Sequence, residues 1–296
     1  VECVLGGIPQ DSGPITIDEK GWDLGSGIYV HPAGSDSLEG DTLLEPGTIL
    51  GPAELGLLAS CGVSRARVAR KIRVGVVTTG DELVAVEDRP ESHQIRRSND
   101  VVAASFSRGR GAEIVRCLHV GDERSDLVTA LAELEGEVDV ILCCGGASKG
   151  SRDHVPSVLA ERCGDAVFHG VRQRPGKPFG VWDGGTTLYC ALPGNPVSVM
   201  ACLCRHVGPL IAAMQGDVGA VDQVKVEGDW SASAGFRMMK PVARSMVDSR
   251  AVKILPMKNS GDFVGLPGMV GFVELPETNG ASDDHLMNFF PLYEGV

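Results

Sequence analysis

Two Pro-Gly turns carry the densest chemistry in this chain. Residues 170–198 read GVRQRPGKPFGVWDGGTTLYCALPGNPVS, with Pro175-Gly176-Lys177-Pro178 in the first turn and Pro193-Gly194-Asn195-Pro196 in the second. Proline fixes φ and removes an N–H donor, while glycine lets the backbone come close to a ligand. Arg172, Arg174 and Lys177 crowd the first turn. Rigid turns that carry cations suit an anionic ligand with several oxygens. The rest of the chain is acidic, with 27 Lys+Arg against 39 Asp+Glu and a net charge of -12, so this local excess of positive charge stands out.

Other loops could share that ligand. Asp81-Glu82, in TTGDEL, places adjacent carboxylates after a strand, a hard-oxygen set that suits Mg²⁺. The same pair could be an acid-rich turn or helix start. Asp153 either completes a metal site with Asp81 and Glu82 or caps a helix. Gly145-Gly146-Ala147-Ser148-Lys149-Gly150 follows a strand and precedes a helix, where backbone N–H groups can face phosphate. Its spacing is not that of a P-loop, and a plain strand-to-helix turn fits it as well. Lys149 and Arg152 add charge there. Ser98-Asn99 reads first as an N-cap. Arg96 and Arg97 before it are solvated or belong to the anion site. Asp122 is an N-cap first and a ligand second. The seven histidines form no HExxH motif, and Ser198 lies in GNPVS rather than GxSxG.

The elements that must position these loops alternate. Arg73–Thr79 is a buried strand, Ser98–Arg108 a helix, Glu113–Leu118 a strand and Glu123–Leu134 a helix. Val138–Cys144 is a second buried strand and Asp153–Arg162 a helix. Strands near Phe179–Trp182 and Thr187–Ala191 precede a helix from Pro196 to about Met214. Apolar strands alternating with helices predict an α/β domain, Rossmann-like, with a mostly parallel sheet covered on both faces. Ligands of such sheets bind beyond the carboxyl ends of the strands, which is where Thr79-Gly80, Gly145-Gly146 and Leu192–Asn195 fall. Upstream, residues 1–48 read as partial, β-rich structure. Pro52–Ser60 is a short helix with Pro in its first turn, and it opens an α/β domain of residues 49–216. Residues 217–296 alternate with Gly and Pro punctuation and read as a small C-terminal β domain, barrel-like in type.

Composition sets further bounds. Hydrophobic content of 43% is ample for a core, and a pI near 5.0 argues against nucleic acid or an anionic membrane as partner. No uninterrupted apolar run reaches the ~18 residues of a membrane span. The nine cysteines have no zinc spacing and read as small buried hydrophobes of a reducing, cytoplasmic compartment.

Taken together, these loops resemble the molybdopterin molybdenumtransferase family, which includes the E domain of gephyrin. The resemblance runs from about Val30 to Leu275. It rests on AGSDSLEGDTLLEPGTILGPAELGLLASCG, VGVVTTGDEL, Ser98-Asn99, GGASKGSRDHV, RPGKPFGVW, ALPGNPVSVM and SGDFVGLPGMVGFVELP. PGKP and LPGNPVS in this order are the specific part. The resemblance implies insertion of molybdate into adenylylated molybdopterin with release of AMP. Glu82, Asp122 and Asp153 match acidic positions tied to activity, and Asp81, Glu82 and Asp153 are the implied Mg²⁺ set, weak without nucleotide. The ligand-binding set is Thr79, Gly80, Ser98, Asn99, Gly145, Gly146, Ser148, Arg174, Lys177, Pro193, Asn195, Pro196 and Ser198. The implied partners are small anionic substrates, with a homodimer for the full-length protein. Family members usually carry Tyr-Asp where Arg96-Arg97 stand, and GGVSVG where this chain has GGASKG. The helical N-terminal domain with its MDGYA-type segment has no counterpart, so the chain reads as N-terminally shortened or diverged, and its dimer as weak. A non-catalytic scaffold module and a nicotinamide-nucleotide amidase-like enzyme are the alternatives. The latter lacks PGKP and LPGNP.

Overall fold

The computed structural model describes residues 4–5, 16–17, 27, 30–147, 153–217, 219–228, 230, 235–248, 250–277 and 286–293. The chain divides into two units, Val1–Arg65 and Ala66–Val296. In the first, β1 (Val4–Leu5) pairs antiparallel with β2 (Thr16–Ile17), and α1 (Pro52–Ser60) follows. The start of α1 is fixed by Pro52 and by the Glu54 carboxylate, which accepts the Gly51 N–H at 2.9 Å.

The second unit is built on two sheets. Its first strands and helices are β3 (Arg73–Thr79), a short ribbon of β4 (Leu83–Val84) and β5 (Ile95–Arg96), α2 (Asn99–Gly109), β6 (Glu113–Val120), α3 (Arg124–Leu134), β7 (Val140–Cys144) and α4 (Val155–Cys163). Next come β8 (Phe168–His169), β9 (Gln173–Arg174), β10 (Gly180–Asp183), β11 (Leu188–Leu192) and α5 (Pro196–Cys202). A π-helical turn, Leu203–Val207, joins α5 to α6 (Gly208–Met214). The first sheet runs β6-β3-β7-β11-β10-β8, with parallel pairing among β6, β3, β7 and β11. The last two pairings, β11–β10 and β10–β8, are antiparallel, so the sheet is mixed. A short hairpin connects β10 to β11, too short for the crossover that a parallel pair needs.

Both faces of this sheet are buried, as its apolar strands predict. On one side Val74, Val76, Leu142 and Leu192 pack with Phe106 of α2 and with Val199, Leu203 and Ile211 of the long helix. On the other, Val77, Ile141 and Ala191 meet Leu127, Leu131 and Leu134 of α3 and Val158 and Leu159 of α4. The helix 196–214 is long and apolar enough to cross a membrane, but 61% of it is buried within the fold, which suits a core helix.

The second sheet comprises β12 (Asp222–Glu227), β13 (Arg237–Arg244), β14 (Ala251–Ile254), β15 (Gly271–Leu275) and β16 (Leu286–Pro291), plus β9. The β13–β14 pairing closes the order β14-β12-β16-β15-β13 into a small barrel around Val242, Val252, Val273, Leu275, Met287 and Phe289. The strand β9, from the middle of the α/β region, adds to the start of β13: Gln173 pairs with Arg237 and Arg174 with Met238. This pairing is not predicted by the sequence, because a two-residue strand carries no periodic signal.

Candidate functional site

Register brings the loops together. Thr79 pairs with Val120, Thr78 with Cys144, and Cys144 with Leu192, so four parallel strands end at one level. Backbone bonds carry the alignment one residue further, with Gly80 N–H donating to Val120 O (3.2 Å) and Gly145 N–H to Leu192 O (3.1 Å). Beyond that edge lies a cleft of about 580 Å³, a size suited to a small ligand.

Its floor is the Gly145-Gly146 loop. Gly145 has φ +97° and Gly146 φ +59°, and a methyl group added at Gly145 would sit 2.9 Å from Thr79 O. The loop therefore needs glycine both for its backbone and for its close approach to β3. Cys144, also in the wall, is no nucleophile: burial pushes its thiol well above the ordinary value. One wall is the turn Pro193–Pro196. Asn99 Nδ2 donates to Gly194 O at 2.7 Å, tying the start of α2 to this turn. Asn99 Oδ1 is buried with no partner among the described residues, an acceptor at the cleft wall. Asn195 Nδ2 donates to Ser260 Oγ (3.0 Å), and Val197 N–H to Ser260 O (3.0 Å). Ser260 thus takes up an otherwise unpaired N–H at the start of α5.

The sequence-predicted residues separate as follows. Thr79, Gly80, Glu82, Ser98, Asn99, Asp122, Gly145, Gly146, Asp153, Pro193, Asn195, Pro196 and Ser198 all line the one cleft. Ser148, Lys149 and Arg152 lie outside the described residues. Asp81 does not line the cleft; its Oδ1 accepts the Asp122 N–H at 3.0 Å and so fixes the loop after β6. Asp122 is not a cap, since Glu123 precedes α3, and His154 rather than Asp153 precedes α4. Of the PGKP turn, Pro178 reaches the cleft, while Arg174 and Lys177 do not line it. The Lys177 ammonium lies 5.9 Å from the centre of the Phe236 ring, and Arg172 pairs with Glu277 at 3.0 Å. The cations that do line the cleft are Arg96 and Arg97, at the end of the β4–β5 ribbon. Sequence reasoning left them undecided and passed over Ser260, although SGDF was visible as a Pro/Gly-flanked loop.

Among the described residues, no three His, Cys, Asp or Glu side chains gather as a metal site. Of the set Asp81, Glu82 and Asp153, the last two line the cleft and Asp81 does not, so the three are not gathered as a cation site. What the cleft offers is a narrow seat at strand ends, three carboxylates and two guanidiniums on its walls, and glycine backbone on its floor.

The model of a family described as a probable molybdopterin binding domain matches residues 75–213, the segment that builds this cleft. The molybdopterin molybdenumtransferase of a Synechocystis species is 33% identical over 258 residues, 85% of this chain and 63% of that protein. Along that span the chain is similar to the molybdopterin molybdenumtransferases. A second relative of the same name, from Haemophilus influenzae, is 34% identical over 215 residues, covering 73% of this chain and 52% of its own. The chain therefore spans between half and two thirds of the length of these relatives. The fold agrees: the molybdopterin biosynthesis MoeA protein of Pyrococcus horikoshii superposes with a TM-score of 0.70 at 24% identity, over 83% of this chain and 61% of that one. The molybdenumtransferase resemblance read from GDEL, PGKP and LPGNPVS thus holds, and so does the closed C-terminal barrel.

Proposed function

We propose that the cleft binds adenylylated molybdopterin and that the whole protein inserts molybdate into it with release of AMP. The observation that carries this reading is the convergence of GDEL, the Gly-Gly loop and LPGNP on one cleft, within the segment matched by the molybdopterin-binding family. The chemistry of the walls supports it. A phosphate seated over Gly145-Gly146 can approach the backbone closely, because neither residue carries a side chain there. Glu82, Asp122 and Asp153 then stand at the rim, where a carboxylate can take a proton from the water that attacks the phosphoanhydride. Asn99 Oδ1 accepts an N–H or O–H of the ligand. Arg174 and Lys177 belong to this reading as groups on the PGKP turn that meet molybdate once ligand fills the cleft. Ser148 belongs to it through the Gly-rich loop. The protein acts, in this reading, as a dimer in the cytoplasm.

The test is molybdate-dependent AMP release from adenylylated molybdopterin. Glu82→Gln, which keeps the size of the side chain and removes its basicity, is expected to lower turnover at least 100-fold with an unchanged fold, about the share that acid–base catalysis supplies. Wild-type turnover in that variant would remove Glu82 from the mechanism.

A further inference from the structure

We propose that Arg96 and Arg97 form the phosphate clamp of the cleft and so determine its preference for a phosphorylated ligand. The inference rests on the cleft being the ligand site proposed above. Among the described residues that line it, these are the only cationic side chains; the other charged ones are Glu82, Asp122 and Asp153. In a chain of net charge -12, three carboxylates on the wall would repel a phosphate. A local positive pair is what makes such a ligand acceptable.

The two guanidiniums are also held in a way that suits the task. Arg96 Nε donates to Val86 O at 2.8 Å. Arg97 Nε lies 3.1 Å from Asp100 Oδ2, and Asp100 is only 8% exposed. Their backbone is fixed as well, by the β4–β5 pairing and by the Arg97 N–H, which donates to Val84 O at 3.0 Å. A guanidinium is a planar fork of five donors, so a tether through Nε turns its paired Nη groups away from the tether. A fork of this kind matches two oxygens of a phosphate ester, bonded in bidentate fashion. None of the first turn's cations lines the cleft: Arg172 pairs with Glu277, Lys177 lies over Phe236, and Arg174 sits in β9.

Calorimetric titration with AMP, adenosine and molybdate tests the clamp in the wild type, Arg97→Ala, Arg97→Lys and Arg96→Ala. We expect the wild type to bind AMP more tightly than adenosine. Arg97→Ala should weaken AMP roughly 10- to 100-fold, the worth of one charged hydrogen bond, and leave adenosine unchanged. Arg97→Lys keeps the charge but lacks the fork, and should recover only part of the loss. Circular dichroism checks each fold; if Arg97→Ala is misfolded, Arg97→Lys and Arg96→Ala carry the test. Wild-type AMP affinity in all folded variants overturns the clamp while the ligand site stands. Loss of molybdate binding with AMP unaffected also overturns it and marks a free-oxyanion site. A wild type that binds neither AMP nor adenosine overturns the ligand reading itself, and the clamp with it.

Discussion

Three glycines at the cleft should respond to a single added methyl group in a fixed order. Gly145→Ala places Cβ 2.9 Å from Thr79 O and 3.0 Å from Thr79 Oγ1, at φ +97°. That backbone region costs a non-glycine residue ~1–3 kcal/mol. The clash is with the backbone carbonyl of Thr79, held in the sheet by its pairing with Val120 of β6, and overpacking of this kind adds ~1–3 kcal/mol. The expected loss is about 4 kcal/mol. Gly146→Ala has φ +59° and is crowded by side-chain atoms, Thr79 Oγ1 at 3.0 Å and Val155 Cγ2 at 3.2 Å, with backbone no nearer than His154 N at 3.9 Å. These can give by a few tenths of an ångström, so the cost is about 1–2 kcal/mol, mainly left-handed backbone. Gly194→Ala has no atom nearer than Gly145 Cα at 3.9 Å and no positive φ. It should be neutral, or stabilising by ~0.5 kcal/mol through the unfolded chain. Urea unfolding midpoints, with the slope checked for constancy, give the three values. Equal losses at 145 and 146, or a loss at 194 as large as at 145, would refute the packing described for the floor.

Three further outcomes are expected. His206 is half-buried, stacked 4.5 Å from Phe179 and bonded to Gln173 Oε1 at 2.9 Å; burial first and the Arg205 charge second push its pKa down to about 4. The unfolded chain therefore takes up a proton first, so stability should fall as pH drops from about 6.5 to about 4, by at most ~3 kcal/mol, and His206→Asn should flatten that slope in pH-dependent urea melts. Asp139 accepts bonds from Arg70 and from Arg73 side chain and backbone, which hold its carboxyl well below the usual carboxylate range. Its contribution is intact at neutral pH and lost as pH falls below about 4, and Asp139→Asn should cost about 2–3 kcal/mol at pH 7 by thermal or urea unfolding. Ser260→Ala removes the Asn195 bond but keeps the backbone cap on Val197, so it should cost about 1 kcal/mol and weaken ligand binding a few-fold by titration; no change in either would leave the Asn195 turn self-supporting.

Strands such as RVGVVTT and VILCC were legible because continuous β-branched and apolar runs bounded by glycine have few other readings. The cleft's glycines, prolines and acids were legible for a related reason, since strand-end loops of a parallel sheet share one edge. What escaped was decided by distant partners. Asp81 follows the same strand as Glu82, but a backbone N–H from the neighbouring loop claims its carboxylate, and no local pattern encodes that. Arg172 looks like a ligand cation by proximity in sequence, and Glu277, far along the chain, pairs with it instead. Arg96 and Arg97 gave no such signal, because their place at the cleft depends on a two-residue ribbon with β4.

The strand β9 has a consequence for the order of synthesis. Gln173 and Arg174 leave the ribosome well before Arg237 and Met238, their partners. At the usual ~5–20 residues per second, the PGKP turn waits on the order of seconds for its anchor. The α/β sheet can assemble meanwhile, since its own strands are complete by Leu192. The wall that Pro178 supplies gains its β13 pairing only when the barrel forms. A nascent chain thus completes its sheet early and one face of its core late, since Met239, Phe272 and Phe290 pack in the same cluster as Val74 and Leu192.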